Sequence, residues 1–120
     1  MAKHNDIGQQ GEEMARDYLT KKGYKILHNN FRSSNSEVDI VAEWENQLIF
    51  VEVKTRSSVS FGQPEIFVSQ EKKRHMKKVA RGYIHYINFN GEVRFDIISV
   101  VLEPQKEVQI THFEDAFFLR

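Results

Sequence analysis

The 120-residue chain contains no cysteine. That excludes disulfides and thiolate zinc sites, and it suits a reducing cytosol. Net charge is also missing, since 17 Lys and Arg offset 17 Asp and Glu. No global basic signature for nucleic acid is present, so any such surface has to come from charge segregation. Long apolar runs are absent. Runs such as Leu48 to Val51 and Val100 to Leu102 are far too short to span a bilayer. The N-terminus, Met1-Ala2-Lys3-His4-Asn5-Asp6, has no apolar region to serve as a signal peptide. A soluble cytoplasmic protein with no membrane partner is the expectation. Several catalytic signatures are missing as well: there is no Gly-x-Ser-x-Gly elbow, no Walker loop and no Gly-x-Gly-x-x-Gly. His4, His28, His75, His85 and His112 lack metal-ligand spacing and read as surface or packing residues. There is no internal repeat, low-complexity tract or linker, and residues 1–120 read as one domain.

What is present is a charged hairpin. Glu37 to Ala42 and Leu48 to Lys54 are β-branched, apolar-rich runs around a polar break at Glu45-Asn46-Gln47. Charges sit inside both runs, where burial without a partner is costly. Glu52 and Lys54 share a strand face. With Glu45-Asn46 as a two-residue turn, Asp39 falls opposite Glu52 and Glu37 opposite Lys54. Like charges about 5 Å apart repel, so a cation between Asp39 and Glu52, or protonation of one, is required. A three-residue loop would instead put Asp39 opposite Val53 and remove the clash.

The remaining elements follow from periodicity. A helix is expected over residues 6–22, capped by Asp6 and stopped by Gly23, with Ile7, Met14, Ala15, Tyr18 and Leu19 as its apolar stripe. Glu12 lies at the edge of that stripe and Glu13 points more outward. On spacing alone Glu12 is a surface carboxylate near the positive end of the helix. A first strand spans Tyr24 to Phe31, with Tyr24, Ile26 and His28 alternating. Thr55 to Pro64 reads as a loop. A second helix is expected from Ser69 to Asn88, with Met76, Val79, Ala80, Tyr83, Ile84 and Ile87 facing the core. Lys73, Arg74, Lys77, Lys78 and Arg81 cover much of its remainder. Alone, that is a solvated helix face. Beside a carboxylate site it would supply counter-charge to phosphates. Lys72 sits on the inward side and, near the helix start, could point towards the hairpin. Val93 to Leu102 is a strand apolar on both faces, with Arg94 and Asp96 expected to pair. Val108, Ile110 and Phe113 mark a shorter edge strand. The apolar end, Ala116 to Leu119, either docks on the domain or contributes to self-association. The order is αβββαββ: an α/β fold with a mixed sheet of about five strands flanked by two helices, residues 48–102 forming a parallel crossover.

Asp39, Glu52 and Lys54 are the candidates for chemistry, with Glu12 and Glu37 in reserve. Two carboxylates suit a hard divalent ion, and a nearby ammonium suits charge developing on a phosphate. Bare Asp-x(12)-Glu-x-Lys is a weak pattern, and its placement on paired strands strengthens it. A larger set of residues carries a resemblance: Gly8-x-x-Gly11-Glu12-x-x-Ala15-x-x-Tyr18-Leu19, Asn30-x-Arg32, Glu37-Val38-Asp39, Phe50-Val51-Glu52-Val53-Lys54-Thr55-Arg56, Phe61-Gly62 and Arg94-Phe95-Asp96. Together they are similar to the YraN family of small bacterial proteins, over nearly the whole chain. Where that family usually has glycine before Glu-x-Asp, this chain has Ser36. The family resembles archaeal Holliday-junction resolvases and the wider PD-(D/E)xK nucleases. The resemblance implies a restriction-endonuclease-like core. It also implies a helix carboxylate at Glu12, metal ligands at Asp39 and Glu52, and a catalytic lysine at Lys54.

The leading expectation is an endonuclease dependent on Mg²⁺ or Mn²⁺, hydrolysing phosphodiesters of DNA, with branched or otherwise structured DNA as the candidate substrate. Arg56, Lys72, Lys73, Arg74, Lys77 and Lys78 are the expected nucleic-acid contacts. The alternatives are a non-catalytic nucleic-acid-binding protein of the same fold and a protein-interaction module. The resolvases the family resembles work as dimers, and the apolar tail is compatible with a homodimer.

Overall fold

The structure, a computed structural model of the chain, describes residues 3–57 and 68–119. Its elements are α1 (Lys3–Lys21), β1 (Lys25–Ser33), β2 (Ser36–Trp44), β3 (Gln47–Arg56), α2 (Gln70–Ile87), β4 (Glu92–Val101) and β5 (Gln109–Phe117). The order αβββαββ is as expected. The five strands form one sheet in sequential order. All neighbours are antiparallel except β3 and β4, which are parallel and joined by the α2 crossover. No helix among the described residues is long and apolar enough to cross a membrane.

The hairpin register is the expected one. Glu45 and Asn46 form the two-residue turn, with φ of 49° and 64°. Two left-handed residues match the natural twist of the strands. Pairing then runs from Trp44↔Gln47 to Ile40↔Val51. Strict alternation along β3 sorts its side chains between two cores. Ile49 and Val51 join Ala15 and Leu19 under α1, while Leu48 and Phe50 join Met76, Val79 and Ala80 under α2. One helix therefore covers each face of the sheet. Ser69 caps α2 by accepting the Lys72 amide at 3.0 Å, and the helix ends at Asn88, which is left-handed with φ 58°.

Several boundaries differ from expectation. α1 starts at Lys3, so Asp6 lies inside the helix and is no cap; Lys3 to Asn5 contain no helix breaker. Ile7 is exposed, outside the buried stripe of Gly11, Ala15 and Leu19. In β1 the alternation breaks at a bulge between Ile26 and His28. Tyr24 and Ile26 face the α1 core, whereas His28 turns to the other face and bonds the Tyr83 hydroxyl at 3.0 Å. Thr55 and Arg56 belong to β3, paired with Val100 and Val101, because the parallel ladder continues past Lys54. The loop expected up to Pro64 otherwise lies largely outside the described residues. β5 is nine residues long, one fewer than β3 and β4, and runs past Phe113 into the apolar tail.

That tail docks. Phe117 is buried and stacks on Phe95 with ring centroids 4.8 Å apart. Lys73 and Lys77 lie over its ring, at 5.5 and 6.0 Å. Arg81 donates to the Leu119 carbonyl at 3.0 Å, while Phe118 stays exposed. On the opposite face the expected Arg94–Asp96 pair is a bidentate buried bond of 2.9 and 2.8 Å. Asp96 also takes His112 at 2.7 Å and the Asp115 amide at 2.9 Å, and Arg94 donates to the Tyr24 hydroxyl at 2.6 Å. Burial alone would raise the Asp96 pKa, but the bonds from His112 and Arg94 outweigh it and hold it below the usual carboxylate range.

Truncation of Phe117 tests whether the tail belongs to the core. Phe117→Ala is expected to cost about 3 kcal/mol of unfolding free energy, the usual range for a buried aromatic, read as a lower urea midpoint at unchanged slope. A loss under about 0.5 kcal/mol, the size of an ordinary surface change, would place the tail outside the core.

Candidate active site

Where β2 and β3 part, the sheet opens. The last antiparallel pair is Ile40↔Val51. Beyond it the Val53 amide is taken by the Asp39 side chain, Oδ2 accepting at 2.8 Å. Asp39 therefore sits in the mouth of a fork between two strands. Two distortions prepare it. Asn30, between the pairs Asn29↔Ile40 and Phe31↔Val38, is left-handed with φ 53°. In β2, Val38 and Val41 both pack on the α2 core. Regular alternation would put residues three apart on opposite faces, so β2 is wrung around Asp39.

Glu52 lies on the α2 side of the fork. Its carboxyl is in hydrogen-bond contact with that of Asp39. Burial, then the Asp39 charge, push the Glu52 pKa up to about 7. Burial raises Asp39 as well, but the Val53 amide, the Lys72 charge and the proton shared with Glu52 hold it back. Two acids in contact with both pKa values raised share a proton, which leaves the pair a single net negative charge. Its Oε1 is buried and has no hydrogen-bond partner. The Lys72 ammonium lies 3.5 Å from that oxygen, an ion-pair distance, and donates to the Glu37 carbonyl at 3.2 Å. Lys72 does reach the hairpin, as its inward position suggested. Lys54 is half-buried and, two residues beyond Glu52, shares its face.

Glu12 approaches from the α1 side. A Cβ on Gly11 would collide with the Thr55 side chain. Glycine there lets α1 lie against β3 and brings the next residue to the fork. With its nitrogen turned towards the acids, the Asn30 amide donates to Glu12 Oε1 at 3.2 Å and Glu37 Oε2 at 3.3 Å. Burial and then Asp39 raise the Glu12 pKa. Glu12 opens onto a polar cleft of about 190 Å³ with Gln9, Glu13, Arg16 and Asn30. Glu37 meets Arg32 at 3.7 Å.

Known proteins give this arrangement a setting. The description "Uncharacterised protein family UPF0102" matches residues 11–100. A UPF0102 protein of Flavobacterium psychrophilum is 48% identical over 118 residues, covering 98% of each chain. One from Caldanaerobacter subterraneus is 46% identical over 114 residues, covering 92% of this chain and 93% of its own. The chain belongs to the UPF0102 family. Its fold is that of Archaeoglobus fulgidus Hjc, a Holliday junction resolvase, at a TM-score of 0.50 and 16% identity, covering 88% of this chain and 85% of that one.

Of the sequence candidates, the UPF0102 fold brings Asp39 and Glu52 into contact, couples Glu12 to Asp39, and sets Lys72 beside Glu52. Asp39 is the common member: Glu12 and Glu52 each respond to it. Among the described residues no group of three or more His, Asp or Glu is gathered tightly enough to enclose an ion unaided. Ser36, where glycine was expected, sits in strand backbone without a positive φ and needs no glycine. The basic face of α2 divides. Arg74 and Lys78 are exposed, whereas Lys73 and Lys77 are half-buried over Phe117. Asn30 escaped notice as a site residue. Its only signal was an asparagine, the side chain best suited to left-handed backbone after glycine, beside Arg32.

A carboxyl whose folded pKa is raised binds its proton more tightly in the folded state. Glu52 therefore stabilises the fold below its ordinary 4.5, and that contribution is lost as the pH climbs through about 7. Glu52→Gln cannot ionise. Its unfolding free energy in chelator is expected to exceed wild type by on the order of 1–3 kcal/mol near pH 8 and to match it near pH 4. Thermal unfolding across that range measures this. A constant offset at every pH would show that Glu52 does not titrate out of its ordinary range.

Proposed function

We propose that this UPF0102 protein is a divalent-metal-dependent nuclease that hydrolyses phosphodiester bonds of DNA. The observation that carries the reading is the carboxyl pair at the fork: Asp39 and Glu52 in contact, with a buried Glu52 oxygen that no donor satisfies. A buried acid without a donor fits a cation. Its oxygen-only donor set suits Mg²⁺ or Mn²⁺: Asp39 and Glu52 would hold the ion, waters would fill its other positions, and Glu12 would add negative charge from the α1 side. The chemistry such an ion would supply is polarisation of a phosphoryl oxygen and a lower pKa for a bound water.

The chain's own residues do the rest. The Val53 amide holds Asp39 pointing into the fork and offsets part of the rise that burial imposes on its pKa. Glu52 gives up its proton when positive charge arrives, since its pKa of about 7 rests on burial and on the Asp39 charge. Lys54, on the same face, supplies an ammonium for charge developing on the scissile phosphate. Glu12 and Asn30 hold the α1 side of the opening. The exposed Arg74 and Lys78 offer counter-charge to the backbone of the substrate. The resolvase fold supports the choice of nucleic acid as substrate, and structured DNA is the first to test.

Incubation with duplex, single-stranded, flap and four-way DNA in Mg²⁺ or Mn²⁺ is expected to give cleavage of at least one substrate. Asp39→Ala and Lys54→Ala should each lower it at least about a hundredfold, with circular dichroism and melting showing a folded domain. Cleavage that survives both substitutions belongs to a contaminant and ends the proposal. Salt-dependent DNA binding without cleavage would leave a binding protein of the same fold.

A further inference from the structure

We propose that Lys72 is the resident counter-cation of the carboxyl pair, holding Glu52 when no divalent ion is bound and competing with the ion for it. This rests on the reading of Asp39 and Glu52 as an ion-binding pair.

Three features of Lys72 point the same way. First, its place is set by backbone contacts. Its amide is fixed by the Ser69 cap at 3.0 Å, in the first turn of α2. Its ammonium is anchored on the Glu37 carbonyl at 3.2 Å. That carbonyl is neutral and belongs to β2, so the anchor does not depend on the charge of Glu52. Second, the contact with Glu52 Oε1 is the longer one, 3.5 Å against 3.2 Å to the Glu37 carbonyl. Lys72 therefore compensates the acid by charge while leaving that oxygen open to a closer ligand. Third, the Lys72 side chain is 31% exposed against 18% for Glu52. Lys72 is therefore the more exposed partner, and the Glu52 oxygen that faces it is buried.

A divalent ion on Glu52 and Asp39 would sit close to the Lys72 ammonium. Repulsion between them lowers the affinity for the ion, by an amount that partial solvent screening keeps modest. A phosphodiester backbone reaching the fork relieves that repulsion by giving the displaced ammonium an anion to bind. Ion and polyanion binding then reinforce each other, and by linkage each raises the affinity for the other equally.

Mn²⁺ titration of the full chain, followed by electron paramagnetic resonance, tests the proposal. Lys72→Gln is expected to bind Mn²⁺ about fivefold more tightly than wild type, and Lys72→Arg, which keeps the charge, about as wild type does. In chelator Lys72→Gln should melt below wild type, with the gap closing as Mn²⁺ is added. Equal or weaker Mn²⁺ binding by a folded Lys72→Gln would overturn the proposal and leave the metal reading intact. If folded wild type shows no Mn²⁺ binding that Asp39→Asn removes, the metal reading fails and takes this one with it.

Discussion

One amide decides the architecture of the site. A strand N–H buried in a sheet must find an acceptor, and at Val53 the acceptor is a side chain, Asp39, in place of a neighbouring strand. The ladder between β2 and β3 ends at Ile40↔Val51, and the gap that follows is held open by a carboxylate. The geometry around it follows from that choice. β2 is wrung so that Asp39 lies in the fork, Asn30 takes the left-handed turn alongside it, and Gly11 brings α1 in close. Because the fork pierces the sheet, acids from both faces meet one residue. Glu12 comes from the α1 side and Glu52 from the α2 side, and Asp39 couples to each.

Two acids in the same sheet show what distinguishes this site from scaffolding. Asp96 is fully buried, yet both its oxygens are bonded, to Arg94, His112 and the Asp115 amide, and its pKa is lowered. Its charge is matched locally, so it locks β4 to β5 and has nothing left to offer a ligand. Glu52 is half-buried beside another acid, keeps a buried oxygen without a donor, and has a raised pKa. Structural ion pairs end with their bonding satisfied. An acid left short of donors beside a like charge is tolerated only while it holds a proton or a cation.

The fold was largely legible, because β-branched runs, a two-residue turn and helical stripes all reported local physics. The Glu45-Asn46 turn alone set the β2–β3 register as far as Ile40↔Val51; the expected pairs Asp39 with Glu52 and Glu37 with Lys54 lie beyond the end of that ladder, where Asp39 takes the Val53 amide and Glu37 meets Arg32. What was illegible depended on contacts distant in sequence. The bulge before His28 exists because the ring bonds Tyr83 on α2, which no window around β1 reveals. The length of β5 depends on Phe117 finding Phe95. Spacing placed Glu12 at the rim of its helix, and only the close approach of Gly11 to Thr55 carries it to the fork. Asn30 is the clearest miss: its role comes from a backbone angle that the sequence does not print.

The basic helix shows why charge counting and charge placement lead to different conclusions. In sequence, Lys72, Lys73, Arg74, Lys77, Lys78 and Arg81 form one block. In the fold they have three environments. Lys72 turns to the carboxyl pair, and Lys73, Lys77 and Arg81 clasp the C-terminal tail. Arg74 and Lys78 face water. A lysine over an aromatic ring gains on the order of 1 kcal/mol and must leave that ring to follow a phosphate. The cations with least to give up for a polyanion are therefore Arg74 and Lys78, one helical turn apart. Docking the tail thus makes two uses of one charged face: it completes the core under Phe95, and it concentrates the solvent-facing charge of α2 on a narrower line.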